Sequence, residues 1–442
     1  MRSGGTHRGR RSDGLAHTPP GQPVRQASLR EHNLRLVLRH VASAPRPPSR
    51  ADIAAATGLT RATVSALVDD LIDGQLLTEV DPAPRTGAGR PAAGLVLATD
   101  GPAGLGLEVN VDYVAACIVD LTGTVRHRIV HRADQRPHPP AQALADLADL
   151  AAAVRDAAAA DRLTPVGAAL AVPGLVTADG LVRLAPNLGW RDVDVPRLVG
   201  DHPALADLPL TVDNEANLAA LGELHAGTDL ANFLYISGEI GIGAGIVLNG
   251  ELFRGARGWS GELGHMPVRP DGPTCRCGGR GCLEQYAGQE RLLKETGIDS
   301  AGLSPDAAIA RLTEAARAGD PTTLRALRDA GTALGVTVAS VVNLLDVDTV
   351  VLGGVYARLA AWLRPPLESE LQRRVLTNAW SPVTVRVSVL GGDAAVVGAA
   401  GSVVRAIHEH PARWLATGGA RVAAPRTGAS PRPAPADSSA DA

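Results

Sequence analysis

Three of the four cysteines in this chain, Cys275, Cys277 and Cys282, lie within eight residues, and His265 precedes them closely. Three thiolates and one imidazole make a complete tetrahedral ligand set for Zn²⁺. In a reducing compartment such clustering indicates a metal site, and four protein ligands leave no coordination position open. The spacing therefore predicts a structural zinc site formed by His265, Cys275, Cys277 and Cys282, with three buried free thiols as the alternative. Cys117 stands alone in an apolar run and is expected in the core.

The composition is that of a chain that can bury a sizeable core. Hydrophobic residues make up 45% of the 442 residues, and no uncharged apolar run of transmembrane length occurs. The N-terminus is rich in Arg, Gly and Pro and lacks the apolar stretch of a secretory signal peptide. We therefore expect a cytoplasmic protein with no membrane partner.

Charge is distributed unevenly along the chain, although the net charge is only −3. Residues 1–98 contain 13 Arg against 8 Asp and Glu, a net of +5, and the remainder has 30 basic against 38 acidic residues, a net of −8. A basic head on an acidic body is typical of a nucleic-acid reader joined to a separate sensor. The asymmetry is modest, so it supports this interpretation without establishing it.

The residue pattern divides the chain into four segments. Residues 1–27 and 417–442 are rich in small and polar residues without periodicity, and both are predicted to be disordered tails. Residues 28–98 are predicted to form a small helical module with two short strands. Residues 101–410 alternate strand-like apolar runs, such as Val350–Leu352, with Ala-rich helical runs, which predicts an α/β domain.

Capping and turn residues of the helical module predict a helix-turn-helix. Ser49 and Thr60 are suited to cap two successive helices, and Gly58 between them can adopt the positive φ that a helix exit often needs. The second of these helices has a helically spaced apolar face from Val64 to Leu71. With two strands following, the pattern is that of a winged helix-turn-helix DNA-binding domain. A three-helix scaffold for protein contact or dimerisation is the alternative.

Several residues of this module are candidates for contact with DNA. Arginine can bind guanine through two hydrogen bonds in the major groove, and hydroxyl groups can reach bases or phosphates. An arginine at the tip of a slim Gly-Arg-Pro wing can enter a narrow minor groove. The candidates are Arg61, Thr63 and Ser65 at the start of the third helix, and Arg85 and Arg90 in the wing. A phosphate clamp is the alternative role of Arg61.

Six polar side chains of the α/β segment lie in Gly- or Pro-marked loops and are candidates for a carbohydrate site. A buried polyol requires many converging hydrogen-bond donors and acceptors, because each hydroxyl left unpaired costs free energy. Carboxylates and carboxamides meet this requirement. For each candidate an ordinary solvated or capping role is the alternative. The six are Asn187, Asn214, Glu215, Glu262, His265 and Glu284.

From about Ser28 to about His408, the sequence resembles the ROK (repressor, open reading frame, kinase) family. The Gly-His and cysteine block is the most specific part of this resemblance. Other matching stretches are Val172-Pro-Gly-Leu-Val176, Ala185-Pro-Asn-Leu-Gly-Trp190, Gly261-Glu-Leu-Gly-His265 and Val350-Val-Leu-Gly-Gly354.

The resemblance implies an α/β, actin-like two-lobed ATPase fold of the sugar kinase and Hsp70 type, preceded by the winged helix-turn-helix domain. A sugar or sugar phosphate would lie between the lobes, bound by the six candidate residues. His265 would hold zinc and also lie close to the sugar, so the zinc loop 265–282 would keep the pocket wall in shape. A homodimer or homotetramer would bind operator DNA, and the sugar would control that binding.

The stretches that correspond to the phosphate loops of ROK kinases differ from the family pattern. In those kinases the first phosphate loop reads Asp-x-Gly-Gly-Thr-Lys, whereas the corresponding stretch of this chain reads Glu108-Val-Asn-Val-Asp-Tyr113. Glu239 lies in the stretch that resembles their second phosphate loop. A carboxylate about 4 Å from a phosphate costs on the order of a few kcal/mol near a protein surface. We therefore predict a repressor of carbohydrate-metabolism genes with no catalytic residue, and not an enzyme.

The sequence is also compatible with two alternative functions. One is an ATP-dependent, glucokinase-like hexose kinase with a fused DNA-binding domain, in which Glu215 would remain a competent base. The other is a repressor that a partner protein controls instead of a sugar.

Overall fold

The computed structural model describes residues 26–81, 93–227, 229–299 and 302–416. Its N-terminal part consists of three helices and a two-stranded antiparallel sheet. The order of these elements is that of the predicted winged helix-turn-helix. The elements are α1 (Gln26–Ser43), α2 (Arg50–Thr57), α3 (Arg61–Asp73), β1 (Leu77–Val80) and β2 (Gly94–Leu97).

The turn between α2 and α3 is formed by the residues predicted to form it. Ser49 Oγ accepts a hydrogen bond from the Asp52 N–H, and the Asp52 carboxylate accepts one from the Ser49 N–H, which completes a capping box. Gly58 ends α2 with a φ of +74°, where glycine is favoured. Thr60 caps α3 by accepting a hydrogen bond from the Thr63 N–H. These caps satisfy backbone groups that the helices leave unpaired.

Helix α1 begins two residues before the predicted boundary. Gln26 and Ala27, assigned to the tail on composition, lie in the helix. Both residues are compatible with a helix, and the nearest helix-breaking proline, Pro23, precedes them. Outside the described residues lie the rest of that tail, the tail 417–442, and the wing residues Arg85 and Arg90.

A five-stranded mixed sheet forms the centre of the first lobe. Its elements are β3 (Gly101–Val109), β4 (Tyr113–Asp120), β5 (Val125–Arg132), α4 (Pro140–Ala160), β6 (Leu163–Val172), β10 (Leu210–Asn214) and α6 (Glu215–His225). The strand order is β10-β6-β3-β4-β5, with β3, β4 and β5 antiparallel and with β6 and β10 parallel to β3. Between β6 and β10 lie a small sheet and a short helix: β7 (Leu175–Val176), β8 (Leu181–Ala185), β9 (Trp190–Asp194) and α5 (Val195–Val199).

The second lobe repeats this plan. Its strands are β11 (Phe233–Gly238), β12 (Ile242–Leu248), β13 (Glu251–Leu252), β14 (Thr349–Gly353) and β15 (Thr384–Val387). Its helices, together with the two that end the described chain, are α7 (Glu284–Ala287), α8 (Gln289–Thr296), α9 (Pro305–Arg317), α10 (Pro321–Leu345), α11 (Gly354–Arg374), α12 (Ala394–Glu409) and α13 (Pro411–Ala416). The order β13-β12-β11-β14-β15 again joins a three-stranded meander to two parallel strands.

The two sheets present equivalent hairpin turns to the same region of the molecule. The turn after β3 contributes Asn110, and the turn after β11 contributes Glu239, to the lining of one cavity. Two sheets of the same strand order with a cavity between equivalent hairpins are the two-lobed architecture that the family resemblance implies.

Helix α12 returns from the second lobe and packs across the first sheet. Gly104 and Gly106 of β3 have no Cβ, so the backbone of α12 at Ala400 and Val396 approaches the strand closely. Cys117 on β4 is fully buried beneath the same helix and donates a hydrogen bond to the Val396 carbonyl, as expected of a core residue. Within the described ranges, no helix is long and apolar enough to cross a membrane.

Candidate functional site

The predicted metal ligands converge on one point. His265 ends a short 3₁₀ helix after β13, whereas Cys275, Cys277 and Cys282 come from the loop that leads to α7. Their potential ligand atoms all lie within 4.8 Å of one another. A glycine between the cysteines, Gly281, has a φ of +68° and lets the loop turn back on itself. The four side chains could therefore bind one metal ion.

The distances within this group fit ligands around a tetrahedral ion. Cys277 Sγ and Cys282 Sγ are 3.7 Å apart, and Cys275 Sγ is 3.8 Å from His265 Nδ1. Two thiolates bound tetrahedrally at about 2.3 Å from an ion lie about 3.8 Å apart. No disulfide joins these cysteines, since all are free thiols.

All six predicted carbohydrate ligands line one cavity, called the first cavity below. It lies between the hairpin turns of the two sheets. The set comes from separate loops of both lobes, which only the fold brings together. The six are Asn187, Asn214, Glu215, Glu262, His265 and Glu284. Asn110 and Arg276 also belong to this lining, and neither was among the predicted carbohydrate ligands.

Asn214 and Glu215 reach the first cavity from the start of α6. Asn214 Oδ1 caps the helix by accepting hydrogen bonds from the N–H groups of Ala216 and Asn217, and its Nδ2 donates to the Gly174 carbonyl. The capping role, stated above as the alternative, is thus present in the structure. Glu215 is the first residue of the helix, where a carboxylate is favoured by the helix dipole.

His265 connects the metal group with the first cavity. Its Nδ1 faces Cys275, and its Nε2 lies 3.9 Å from Glu262 Oε2. The Cys-rich loop therefore fixes a ring whose other edge is available to a molecule in the cavity.

Glycine at position 241 allows two of the candidate ligands to lie against the backbone. A Cβ at Gly241 would lie 2.7 Å from Asn187 Nδ2 and 3.1 Å from Glu284 Oε2, closer than side chains tolerate. The missing side chain leaves space for a carboxamide and a carboxylate on one wall of the first cavity. Such a pair supplies both donors and acceptors to a hydroxyl group.

A second cavity adjoins the first, and its lining includes Glu108 and Glu239 of the two stretches that resemble the phosphate loops of ROK kinases. Glu108, Glu215 and Glu239 contribute carboxylates to it, and glycines such as Gly354 and Gly391 complete its wall. Among the described residues that line it, none carries a positive charge. Glu239 contacts the N-terminus of α11, where a Cβ at Gly354 would overlap with its Oε1. A protein carboxylate thus occupies a helix N-terminus that could otherwise receive an anion.

The carboxyl groups of the second cavity have few hydrogen-bond partners, and the described residues that line it include no cation. Tyr113 Oη donates a 2.6 Å hydrogen bond to Glu108 Oε1, but Glu108 Oε2 is buried without a partner. Burial raises the pKa of Glu108 to about 7 and that of Glu215 to about 8, and the charge of Glu108 adds to the effect on Glu215. Burial, followed by repulsion from Glu215, also raises the pKa of Glu239. Glu108 and Glu215 therefore bind protons at a higher pH than exposed carboxyl groups do.

We expect the free energy of unfolding to be lower at pH 9 than at pH 6. In the unfolded chain these carboxyls titrate near 4.5, so their raised pKa values stabilise the fold at low pH, and this stabilisation is lost as the pH rises through 7 to 8. Each tenfold difference in proton affinity between the folded and the unfolded chain corresponds to about 1.4 kcal/mol. Urea denaturation at the two pH values measures the loss. Glu215→Gln should reduce the difference, whereas the exposed Glu314→Gln should not; equal behaviour of both variants would contradict the assignment.

The described DNA-contact candidates lie at the start of α3. Arg61 is exposed, and Thr63 and Ser65 are partly exposed on the same turn. Thr63 also shares a 2.8 Å hydrogen bond with Thr60, so it takes part in the cap. Arg50 on α2 pairs with Asp69 of α3 at 2.7 Å and with Glu79 of β1 at 2.9 Å, so its charge is balanced within the domain.

Comparisons with known proteins agree with this architecture. The ROK family model matches residues 104–405, and the MarR family model matches residues 35–86. The xylose repressor of Bacillus subtilis is 30% identical over 385 residues, covering 86% of this chain and 96% of that protein. A glucokinase of Streptomyces coelicolor is 30% identical over 321 residues, covering 67% of this chain and 97% of that protein.

Solved structures confirm the fold. A ROK family transcriptional regulator, described as a homolog of the E. coli Mlc protein, has a TM-score of 0.72 at 24% identity, covering 88% of this chain and 99% of that one. A ROK family glucokinase from Streptomyces griseus, solved with glucose and AMPPNP, has a TM-score of 0.57 at 28% identity, covering 68% of this chain and 98% of that one. The chain is therefore a member of the ROK family, with a MarR-type winged-helix domain before its actin-like domain.

Proposed function

We propose that this protein is a repressor of carbohydrate-metabolism genes that leaves its operator when a sugar occupies the first cavity. One observation carries the proposal: six predicted sugar ligands line a single cavity in a chain that also has a winged helix-turn-helix. A polyol fits such a lining of carboxylates and amides. The relatives named xylose repressor make D-xylose the first sugar to test.

The charge of the first cavity favours a neutral sugar over a sugar phosphate. Four carboxyl groups line it, from Glu215, Glu239, Glu262 and Glu284, against the single guanidinium of Arg276. Arg276 is itself paired with Glu290 at 2.8 Å. An added phosphate would therefore find one cation, already paired, and would oppose ionisation of the carboxyl groups beside it.

The second cavity supports a sensor without kinase activity. Phosphoryl transfer depends on neutralising the charge of the nucleotide, which kinases achieve with metal ions, lysine and backbone N–H groups. Here Glu108 and Glu239 lie in the corresponding region, and Tyr113 takes the position of the family's lysine. With the DNA-binding domain beginning at Gln26 and the sensor at Gly101, the sensor would follow that domain directly.

We further propose that the metal is a structural Zn²⁺. Three thiolates and an imidazole are the ligands that zinc prefers, and they leave no open position for catalysis. The ion would stiffen the loop 265–282, and through His265 and Glu284 it would keep one wall of the first cavity in place.

The operator would be bound by a homodimer or homotetramer. Two copies of α3 in successive major grooves require two winged-helix domains. Arg61, Thr63 and Ser65 would contact bases or phosphates, and Arg85 and Arg90 of the wing would add minor-groove contacts.

Arg61→Ala should weaken operator binding without affecting the sensor. Loss of a base or phosphate contact costs about 1–3 kcal/mol, so the dissociation constant should rise by about 5-fold to 150-fold. Fluorescence anisotropy with a duplex selected from random DNA measures this effect, and Arg183→Ala, on the surface of the first lobe, is the matched control. Unchanged operator affinity in Arg61→Ala would exclude the contact.

The function is tested by calorimetric titration of the protein with D-xylose and a panel of aldoses, combined with an ATP-consumption assay. Saturable sugar binding without ATP turnover is the expected result, because the ligand cavity is intact and the phosphate region is acidic. Sugar-dependent turnover near the range of kinases, about 1–100 per second, would favour the DNA-binding hexose kinase. Absence of binding by any sugar would favour control by a partner protein.

A further inference from the structure

The last described helix of the chain contacts the end of the recognition helix α3. Trp414 Nε1 on α13 donates a 2.8 Å hydrogen bond to the carbonyl of Gly74, which caps the C-terminus of α3. Leu415 packs so closely that a Cβ at Gly74 would overlap its Cδ2. Just before α13, His410 Nδ1 lies 3.1 Å from Glu31 Oε1 on α1. Helix α13 therefore satisfies a terminal carbonyl of α3 and holds the position of that helix.

This contact is part of an apolar core that the two domains share. The core contains Leu71 of α3, Cys117 of β4 and Val404 of α12, and Trp414 packs against it. Only three residues, 98–100, separate the end of β2 from the start of β3. A close-packed core with so short a connection transmits a displacement instead of absorbing it.

Helix α12 leads from α13 back to the two cavities. Its first residue, Ala394, lines the second cavity beside Glu215. Further along, Gly398 has no Cβ and lies directly against the Leu218 carbonyl of α6. Because α6 begins at Glu215, the packed pair of helices has one end at the cavities and the other at α13.

We infer that α6, α12 and α13 convey the state of the first cavity to α3, and that Trp414 is the positioning residue through which they act on operator binding. The inference rests on the proposed function, because it requires a sugar that alters the closure of the two lobes. Movement of the first turn of α6 displaces α12 along the first sheet, and α13 then shifts the C-terminal end of α3. The sugar changes operator affinity only to the extent that it binds the two arrangements differently.

The test compares Trp414→Ala with Trp380→Ala, a matched loss of a tryptophan that is 82% exposed on the second lobe. For each full-length protein, operator affinity is measured with and without saturating D-xylose, and xylose affinity is measured by calorimetry. In Trp414→Ala we expect the ratio of the two operator affinities to fall at least fivefold, with the xylose dissociation constant within twofold of wild type. Trp380→Ala should retain the wild-type ratio. A merely structural role of Trp414 would not change this ratio selectively.

If Trp414→Ala loses operator binding altogether, a second pair of variants tests the contact between α13 and α3. Gly74 has a φ of −82°, which alanine adopts readily, so the obstacle to Gly74→Ala is Leu415. Gly74→Ala should lower the ratio of the operator affinities without and with xylose. Adding Leu415→Ala to the same chain should restore most of that ratio, because it removes the overlap with the new Cβ at position 74.

The outcomes separate this inference from the proposed function. A xylose-responsive wild type with an equally responsive Trp414→Ala or Gly74→Ala overturns the inference and leaves the proposed function intact. A wild type that binds no xylose, or that binds xylose without a change in operator affinity, contradicts the proposed function and removes the basis of the inference as well.

Discussion

Replacing Cys282 with serine should remove the metal and abolish sugar binding. Structural zinc sites contribute apparent binding free energies of about 10–16 kcal/mol to the folded state, so loss of one thiolate ligand has a large effect. Cys282 is buried and directly precedes Leu283 and Glu284, and Leu283 is fully buried while Glu284 lines the first cavity. We expect less than one metal ion per chain by elemental analysis, a lower melting temperature and no measurable heat on titration with D-xylose.

Cys117→Ala is the matched control for this experiment. Cys117 is a fully buried cysteine of the first lobe and belongs to the shared apolar core instead of the metal group. The variant should keep its metal and its xylose affinity, even if the loss of a buried atom lowers stability. Full metal content and wild-type sugar binding in Cys282→Ser would show that the cysteine loop is not a metal site that supports the cavity.

Glu262→Gln should strongly weaken the response to sugar without changing operator binding in its absence. The substitution keeps the size of the side chain and removes its charge. Hydrogen bonds to charged groups contribute about 1.5–3 kcal/mol, so the xylose dissociation constant should rise by about 10-fold to 150-fold. Glu262 Oε2 lies 3.9 Å from His265 Nε2, and both residues line the first cavity, so the pair lies between that cavity and the metal group. Calorimetry gives the affinity, and operator anisotropy gives the sugar concentration needed for release.

The exposed Glu251→Gln serves as the control for the loss of one negative charge. It should behave as wild type in both measurements. If Glu262→Gln released operator DNA with the sugar dependence of wild type, the assignment of the first cavity as the sugar site would be wrong.

Local chemistry allowed several elements to be predicted from the sequence. The capping side chains of Ser49 and Thr60 and the positive φ of Gly58 depend on neighbours within three or four residues, so their pattern is visible without a structure. The cysteine group was predictable for the same reason, since a loop of eight residues and one nearby histidine supply all the ligands. These features need no information about distant parts of the chain.

Other features depend on contacts between residues far apart in sequence. The hydrogen bond between Trp414 and Gly74 joins positions 340 residues apart, and no local pattern of charge or hydropathy indicates it. The two-lobed architecture was expected only through the family resemblance, because the two sheets share a strand order and no visible repeat of residues. Asn214 was predicted as a ligand, but only the structure reveals that its side chain also caps α6 and binds Gly174.

The most direct measurement is operator anisotropy of the purified full-length protein titrated with D-xylose in the presence of ATP and Mg²⁺, followed by analysis of the recovered sugar. We predict that saturating xylose dissociates the protein from DNA and that the xylose is recovered unphosphorylated. Operator binding that is indifferent to xylose, or accumulation of a sugar phosphate in excess of the protein, would contradict a carbohydrate sensor built on an inactive kinase fold.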